Sequence, residues 1–377
     1  MTFSEHEDLV GKVLAGVYAL EEVIATGSMS TIYRATNRRL DQQVAVKLLF
    51  GSFTTNAALK ARFEAEAKVQ AKLNHPHILR VSDFVSDKGS FAIVMELVEG
   101  AALDQILYDI GGPMDLRRVR TLLLPVLDAV SYAHSQGIVH RDIKPSNIIV
   151  THVGKTEFPK VMDFGIAKIL AEGSSTTAPG AMLGTLLFMS PEQCKALKSV
   201  DERADIYAIG VTLYQMTTGM VPFYAESAFE IMLAHVQTPP TPPKELLPGF
   251  PDALQTLILR ALAKDPEERF QSASELAAAL EALPLAAEGQ SEIAGAGLPT
   301  DGEAEVRVVG DDASSHVANQ EKASASFISR DNMTVPSLDA SLGARAVRPR
   351  TLEGLPQVGT PVQSMGSEAT DPRPRRG

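Results

Sequence analysis

The sequence predicts an α+β fold in two lobes, a small β-rich lobe followed by a larger helical one. Three observations carry this reading. Short β-branched runs recur between Tyr18 and about Val98, the pattern turns mostly helical from Leu103 to about Leu283, and both patterns stop beyond Leu285. Two lobes of this kind leave a cleft between them, the usual place for a ligand.

In the first lobe Thr31–Tyr33, Val44–Phe50 and Phe91–Leu97 read as strands, because β-branched and aromatic side chains suit a pleated, half-buried surface. One helix, about Ala57 to Leu73, interrupts them. At helical spacing Leu59, Phe63, Glu66, Gln70 and Leu73 share one stripe, which puts Glu66 on the buried side and Glu64 off it. In the second lobe Val119–Ser135, Asp205–Thr217 and Ala273–Leu283 repeat apolar residues at helical spacing. After Leu285 the chain is Ala, Gly, Ser, Thr and Pro with scattered charge, and Phe327 is its one aromatic. Such a segment buries too little apolar surface to offset its ordering entropy. The expected organisation is an N-terminal extension over 1–14, a catalytic domain over 15–283 with its lobes meeting near 97–98, and a disordered tail over 284–377.

Composition narrows the class. A net charge of −11 argues against a general nucleic-acid binder, which needs a basic face. Cys194 is the one cysteine, so an internal disulfide is excluded, and it reads as a small filler. Apolar runs such as Leu122–Leu124 and Ile148–Val150 fall far short of the ~20 residues that cross a bilayer. Glu5, Glu7 and Asp8 are unlike a signal peptide. The expectation is a soluble, cytoplasmic protein with no membrane span.

Chemistry concentrates in a few segments. In Val44-Ala45-Val46-Lys47, strand alternation turns Ala45 and Lys47 to one surface and the two valines to the other. Taken alone, Lys47 reads as a rim lysine. With a buried Glu66 on the nearby helix it becomes the cation that this carboxylate requires. Further on, His140-Arg141-Asp142-Ile143-Lys144-Pro145-Ser146-Asn147 supplies a carboxylate, a lysine and an amide from one loop, and Met162-Asp163-Phe164-Gly165 supplies a second carboxylate. Asp163 and Asn147 offer the oxygen ligands of a hard cation such as Mg²⁺, leaving Asp142 to orient a hydroxyl.

These residues, in this chain order, match the signature set of the protein kinase family, and the sequence resembles a bacterial, eukaryotic-like Ser/Thr kinase over about three-quarters of its length. Further matches are the hinge-like Met95-Glu96-Leu97-Val98, Thr185, Ser190-Pro191-Glu192, Asp205 and Arg269. The resemblance implies a bilobal kinase fold that transfers the ATP γ-phosphate to Ser/Thr hydroxyls of proteins, itself included, in signal transduction. It gives Lys47 the α- and β-phosphates and Glu66 as partner, Asn147 and Asp163 the Mg²⁺, Asp142 the substrate hydroxyl and Lys144 the γ-phosphate. Ile24, Ile32, Ala45, Met95 and Ile149 would sandwich adenine, backbone at Glu96 and Val98 would bond its edge, and Gly27 would lie over the phosphates. Lys144 and Thr185 mark the Ser/Thr form. Glu192 and Arg269 would pair as a brace, and Asp205 would fix the catalytic-loop backbone. Arg141 resembles the arginine that pairs with a phosphorylated activation segment, here offering Ser174, Ser175, Thr176 and Thr177, phosphorylated between self-associating copies. In the tail Thr334, Thr351 and Thr360 are further candidate acceptors.

The sequence departs from the family in the phosphate-covering loop, where Ala25 and Ser30 replace the outer glycines of G-x-G-x-x-G and only Gly27 remains. A positive φ there would cost Ala or Ser on the order of 1 kcal/mol. Gln70 stands where an apolar packing residue is common, which would loosen the helix. The altered loop motivates the rival expectation, a binding module that keeps the fold without turnover; a small-molecule kinase fits Lys144 and Thr185 poorly. Gly154-Lys155-Thr156 lacks the earlier glycine of a Walker A loop and reads as a hairpin tip, and His75-Pro76-His77 as a turn after the helix.

Overall fold

Six antiparallel strands in the order β1-β2-β3-β4-β6-β5 build the first lobe: β1 (Val13–Leu14), β2 (Tyr18–Thr26), β3 (Ser30–Asn37), β4 (Gln42–Leu49), β5 (Val81–Asp87) and β6 (Ser90–Glu96). The computed structural model describes residues 9–27, 30–49, 57–87, 89–164, 184–197 and 200–285; within helix 57–70 only the backbone of 57–60, Arg62 and Glu66 is described. All of these belong to the first of two compact units, residues 1–332. The tail beyond residue 285 and the Ser174–Thr177 cluster lie outside the described residues. Val13 and Leu14, assigned above to an extension, are instead a strand paired with Ala19 and Tyr18, because Leu14 packs beside the apolar cluster of Val17, Tyr18 and Leu20.

Alternation along β4 works as its pattern predicts. Val44 and Val46 join one apolar cluster with Tyr33 and Val94, while Ala45 joins another with Phe63, Met95 and Ile149. Two register shifts in β2, between Leu20 and Glu22 and between Val23 and Ala25, mark bulges that increase local twist. Ala25 pairs with Ile32 and Ser30 with Leu49, and neither has a positive φ, so the strain expected at these positions is absent.

Helix α1 (Ala57–Gln70) lies between β4 and β5. It stops three residues before the expected Leu73, because the Lys72 and Leu73 amides reach carbonyls three residues back, Val69 and Gln70, in the tighter turn that closes many helices. Phe63, Ala67 and Gln70 are its buried positions among those described, whereas Glu64 pairs with Lys68 at 2.6 Å on the outer side. At the junction of the lobes Ile78 bridges Val161 in parallel, and the Leu79 amide donates to Val161 O at 2.8 Å. Gly100 approaches the backbone of Val150 so closely that an added Cβ would sit 2.4 Å from Val150 O, which demands glycine.

The second lobe holds β7 (Ala101–Ala102), α2 (Leu103–Ile110), α3 (Leu116–Ser135), a 3₁₀ turn over Pro145–Asn147 and the hairpin β8 (Ile148–Val153) and β9 (Thr156–Val161). Then come α4 (Pro191–Cys194), α5 (Arg203–Thr218), α6 (Ala228–Gln237), α7 (Pro243–Leu246), α8 (Asp252–Ala261) and α9 (Ala273–Ala282). Gly154, at φ +64°, and Lys155 form the β8–β9 tip. Helix α5 is buried over almost its whole surface and is the lobe's axis, with Ile206, Tyr207, Ile209 and Val211 in one core with Leu122 and Leu127 of α3 and Ile258 of α8. Asp115 starts α3 by accepting from the Arg117 amide at 2.8 Å.

Candidate active site

The loop from His140 to Asn147 is held from below by one buried carboxylate. Asp205, near the start of α5, accepts from the amides of His140 at 2.8 Å and Arg141 at 2.7 Å, and from His134 Nε2 at 2.8 Å. His140 is fully buried, and burial lowers its pKa, so its ring is neutral. Its Nδ1 accepts from the Asp142 amide at 3.2 Å, which leaves Nε2 to donate to Met162 O at 3.0 Å. One imidazole thus ties the loop bearing Asp142 to the residue before Asp163. Phe164 packs on the same ring, centroids 4.4 Å apart.

Around Asp142 the polar groups converge. Asn147 Nδ2 donates to Asp142 O at 2.7 Å and to Oδ2 at 3.2 Å; Lys144 Nζ lies 3.5 Å from Asp142 Oδ2 and donates to Thr185 Oγ1 at 2.9 Å. Because the Asn147 amide nitrogen is spent on Asp142, its oxygen is the atom left for a cation. Across the cleft Lys47 Nζ meets Asp163 Oδ1 at 2.8 Å, although 116 positions separate them. The Glu66 side chain lies outside the described residues, so its pairing with Lys47 stays an expectation.

An apolar pocket adjoins these groups, lined by Ile24, Ile32, Ala45, Leu79, Met95, Glu96, Leu97, Val98, Ile149 and Met162. Seven were named from sequence. Leu79, Leu97 and Met162 were missed; Met162 and Leu97 could have been found as neighbours of Asp163 and of the hinge, but Leu79 carries no local signal. Gly27 is not in the lining; its amide donates to Ser30 O at 2.8 Å at the β2–β3 turn. The Glu96 carboxylate is engaged with Lys160 Nζ and the Arg80 amide, both at 2.8 Å, and its amide donates to Arg80 O at 3.0 Å, so neither the carboxylate nor the amide is available to a ligand.

Outside the cleft, Arg269 makes a bidentate pair with Glu192 at 2.8 and 2.9 Å and also donates to Ala263 O and Arg203 O. Arg141, at φ +64°, donates to Val200 O at 3.0 Å, while its buried Nε has no hydrogen-bond partner among the described residues. His75 meets Asp128 at 3.1 Å and stacks on Tyr132, and His77 bonds Pro159 O at 2.7 Å, so both imidazoles serve the lobe junction. Burial pushes the Cys194 thiol up to about 11, which keeps it protonated. None of the described helices is long and apolar enough to cross a membrane.

A family model described as a protein kinase domain matches residues 18–280. Similar sequences include the serine/threonine-protein kinase pkn3 of Myxococcus xanthus, 39% identical over 290 residues that cover 75% of this chain and 53% of that protein. The serine/threonine-protein kinase PknB of Mycobacterium leprae is 38% identical over 271 residues, covering 71% and 43%. The chain therefore spans about half the length of the curated relatives it matches. Its fold is similar to the crystal structure of the Mycobacterium tuberculosis PknI kinase domain, with a TM-score of 0.58 and 27% identity over 72% of this chain and 98% of that one. The chain belongs to the protein kinase family, on the side of its bacterial Ser/Thr members.

Proposed function

We propose that this protein phosphorylates serine and threonine hydroxyls of proteins, its own included, from ATP and Mg²⁺. The observation that carries the reading is the meeting of Asp142, Lys144, Asn147 and Thr185 beside the Lys47–Asp163 pair. ATP with Mg²⁺ supplies, when bound, the transferable γ-phosphoryl group. The residues present fit it: an apolar slot next to an ammonium suits a base followed by phosphates, and a carboxylate with an amide oxygen suits a hard cation.

Each residue then has a task. Ile24, Ile32, Ala45, Met95 and Ile149 clasp the base, with backbone at Glu96 and Val98 along its edge; Gly27 sits at the turn above. Lys47 orients the α- and β-phosphates, and Glu66 steadies Lys47. Asn147 and Asp163 hold the cation. Asp142 orients the acceptor hydroxyl and takes its proton as the oxygen bonds to the γ-phosphorus, while the bond from that phosphorus to the β,γ-bridging oxygen breaks and ADP leaves. Lys144, kept near Asp142 by Thr185, neutralises charge on the moving phosphoryl group, a stabilisation worth most in a partly desolvated cleft. The test is labelled ATP with the protein alone and with a generic basic protein. Label on serine or threonine supports the reading; its absence from both would make the chain a binding module with a kinase fold.

A further inference from the structure

We infer that Gln70 is a positioning residue that couples helix α1 to the strand leading into Asp163. This rests on the proposed kinase activity. Gln70 ends α1 and is only 3% exposed, and a polar side chain buried to that extent needs a partner. Its Nε2 donates to Leu79 O at 3.1 Å in a buried hydrogen bond. Leu79 lies outside the described strands, and Gln70 is the side chain that satisfies its carbonyl. The Leu79 amide donates to Val161 O at 2.8 Å, its side chain lines the apolar pocket, and Val161 is two residues before Asp163. A continuous set of buried bonds thus runs from the end of the helix carrying Glu66, through the pocket wall, to the strand that delivers Asp163. Gln70 therefore does the reverse of loosening the helix: it joins the elements bearing Glu66 and Asp163, so that they shift together.

Two variants of the full chain test this. Gln70→Leu fills the volume but cannot donate, and kcat should fall about tenfold while the ATP KM stays within about twofold. Amide exchange in α1 should rise in the same variant. Gln70→Glu supplies a readout that packing alone would not move. Ionised, the carboxylate can only accept and repels the Leu79 carbonyl; protonated, it donates as the amide does. Its activity relative to wild type should rise at least about threefold from pH 8 to pH 6, since burial favours the protonated form. If Gln70→Leu fails to fold, this pH ratio decides alone. Wild-type kcat and wild-type α1 exchange in Gln70→Leu, or a flat pH ratio in Gln70→Glu, would overturn the inference. A wild-type protein that transfers no phosphate would instead remove the proposed function, and α1 exchange would still report on Gln70.

Discussion

Arg141 and Asp163 hold left-handed backbone, at φ +64° and +55°, a conformation that costs an L-residue on the order of 1 kcal/mol or more. The surroundings impose it: the Arg141 amide is fixed by Asp205 and its carbonyl by Gln193, while Asp163 lies between Met162, bonded to His140, and Phe164, packed on the same ring. The side chains that face the cleft are thus held by their neighbours and contribute little to the core. Asp142→Asn and Lys47→Met should each lower kcat by at least about a hundredfold, the scale of losing a proton acceptor or a charge stabiliser. Their melting temperatures should stay within about 3 °C of wild type. Steady-state kinetics and thermal unfolding check both; near-wild-type turnover in Asp142→Asn would remove its role.

At the scale of elements, the start of the His140–Asn147 loop and helix α6 each hold a buried basic nitrogen without a hydrogen-bond partner among the described residues. Arg141 Nε lacks an acceptor among the described residues. A phosphate in the Ser174–Thr177 cluster would bring nearly two negative charges and three acceptor oxygens to such a guanidinium, with bonds of ~1–3 kcal/mol each. Protein made with Asp142 should carry phosphate in that cluster by mass spectrometry, and the Asp142→Asn protein should not. Replacing all four hydroxyl residues by alanine should lower activity about tenfold or more. In α6, His235 is fully buried, its Nδ1 pairs with the Tyr207 hydroxyl at 2.9 Å, and its Nε2 lacks a partner among the described residues. Burial first, then the Lys264 ammonium, pull its pKa down to about 4, and the Leu186 and Leu187 carbonyls offset this only in part. Between pH 6.5 and 4 the unfolded chain therefore binds the proton more readily, so stability falls as pH falls through that window. From pH 7 to pH 5 this residue should remove about 2 kcal/mol, and His235→Gln should lose correspondingly less in denaturant titrations at the two pH values. Lys264, lowered to about 8, is protonated in both states across this range and does not blur the comparison.

For the whole molecule, the last described helix decides where the domain can be cut. Arg120 of α3 donates to the carbonyls of Leu280, at 3.0 Å, and Leu283, so α9 and the residue after it close the second lobe. Leu276 and Leu280 are fully buried in its core. A chain ending at residue 285 keeps all of these contacts. It should transfer phosphate to a generic substrate within about threefold of the full chain, whereas a cut before α9 should abolish folding. A large loss on removing 286–377 would mean that the tail packs on the domain.

Much of this protein was determined by its sequence alone. Strand alternation around Lys47, the helical stripe through Phe63 and Gln70, and the ordered loop from His140 to Asn147 are local patterns, and local periodicity fixes which side chains share a face. Family signatures supplied the order of the site, because bound nucleotide chemistry demands the same few groups. Tertiary structure alone decided the pairings between distant segments. It brought Lys47 to Asp163, placed Leu79 in the pocket wall, and gave Gln70 a carbonyl to bond. It also left Ala25 and Ser30 in ordinary strand backbone where strain was expected. The physical reason is common to all four: a hydrogen bond or a φ angle depends on the partner that packing delivers, and no window of neighbouring residues contains that partner.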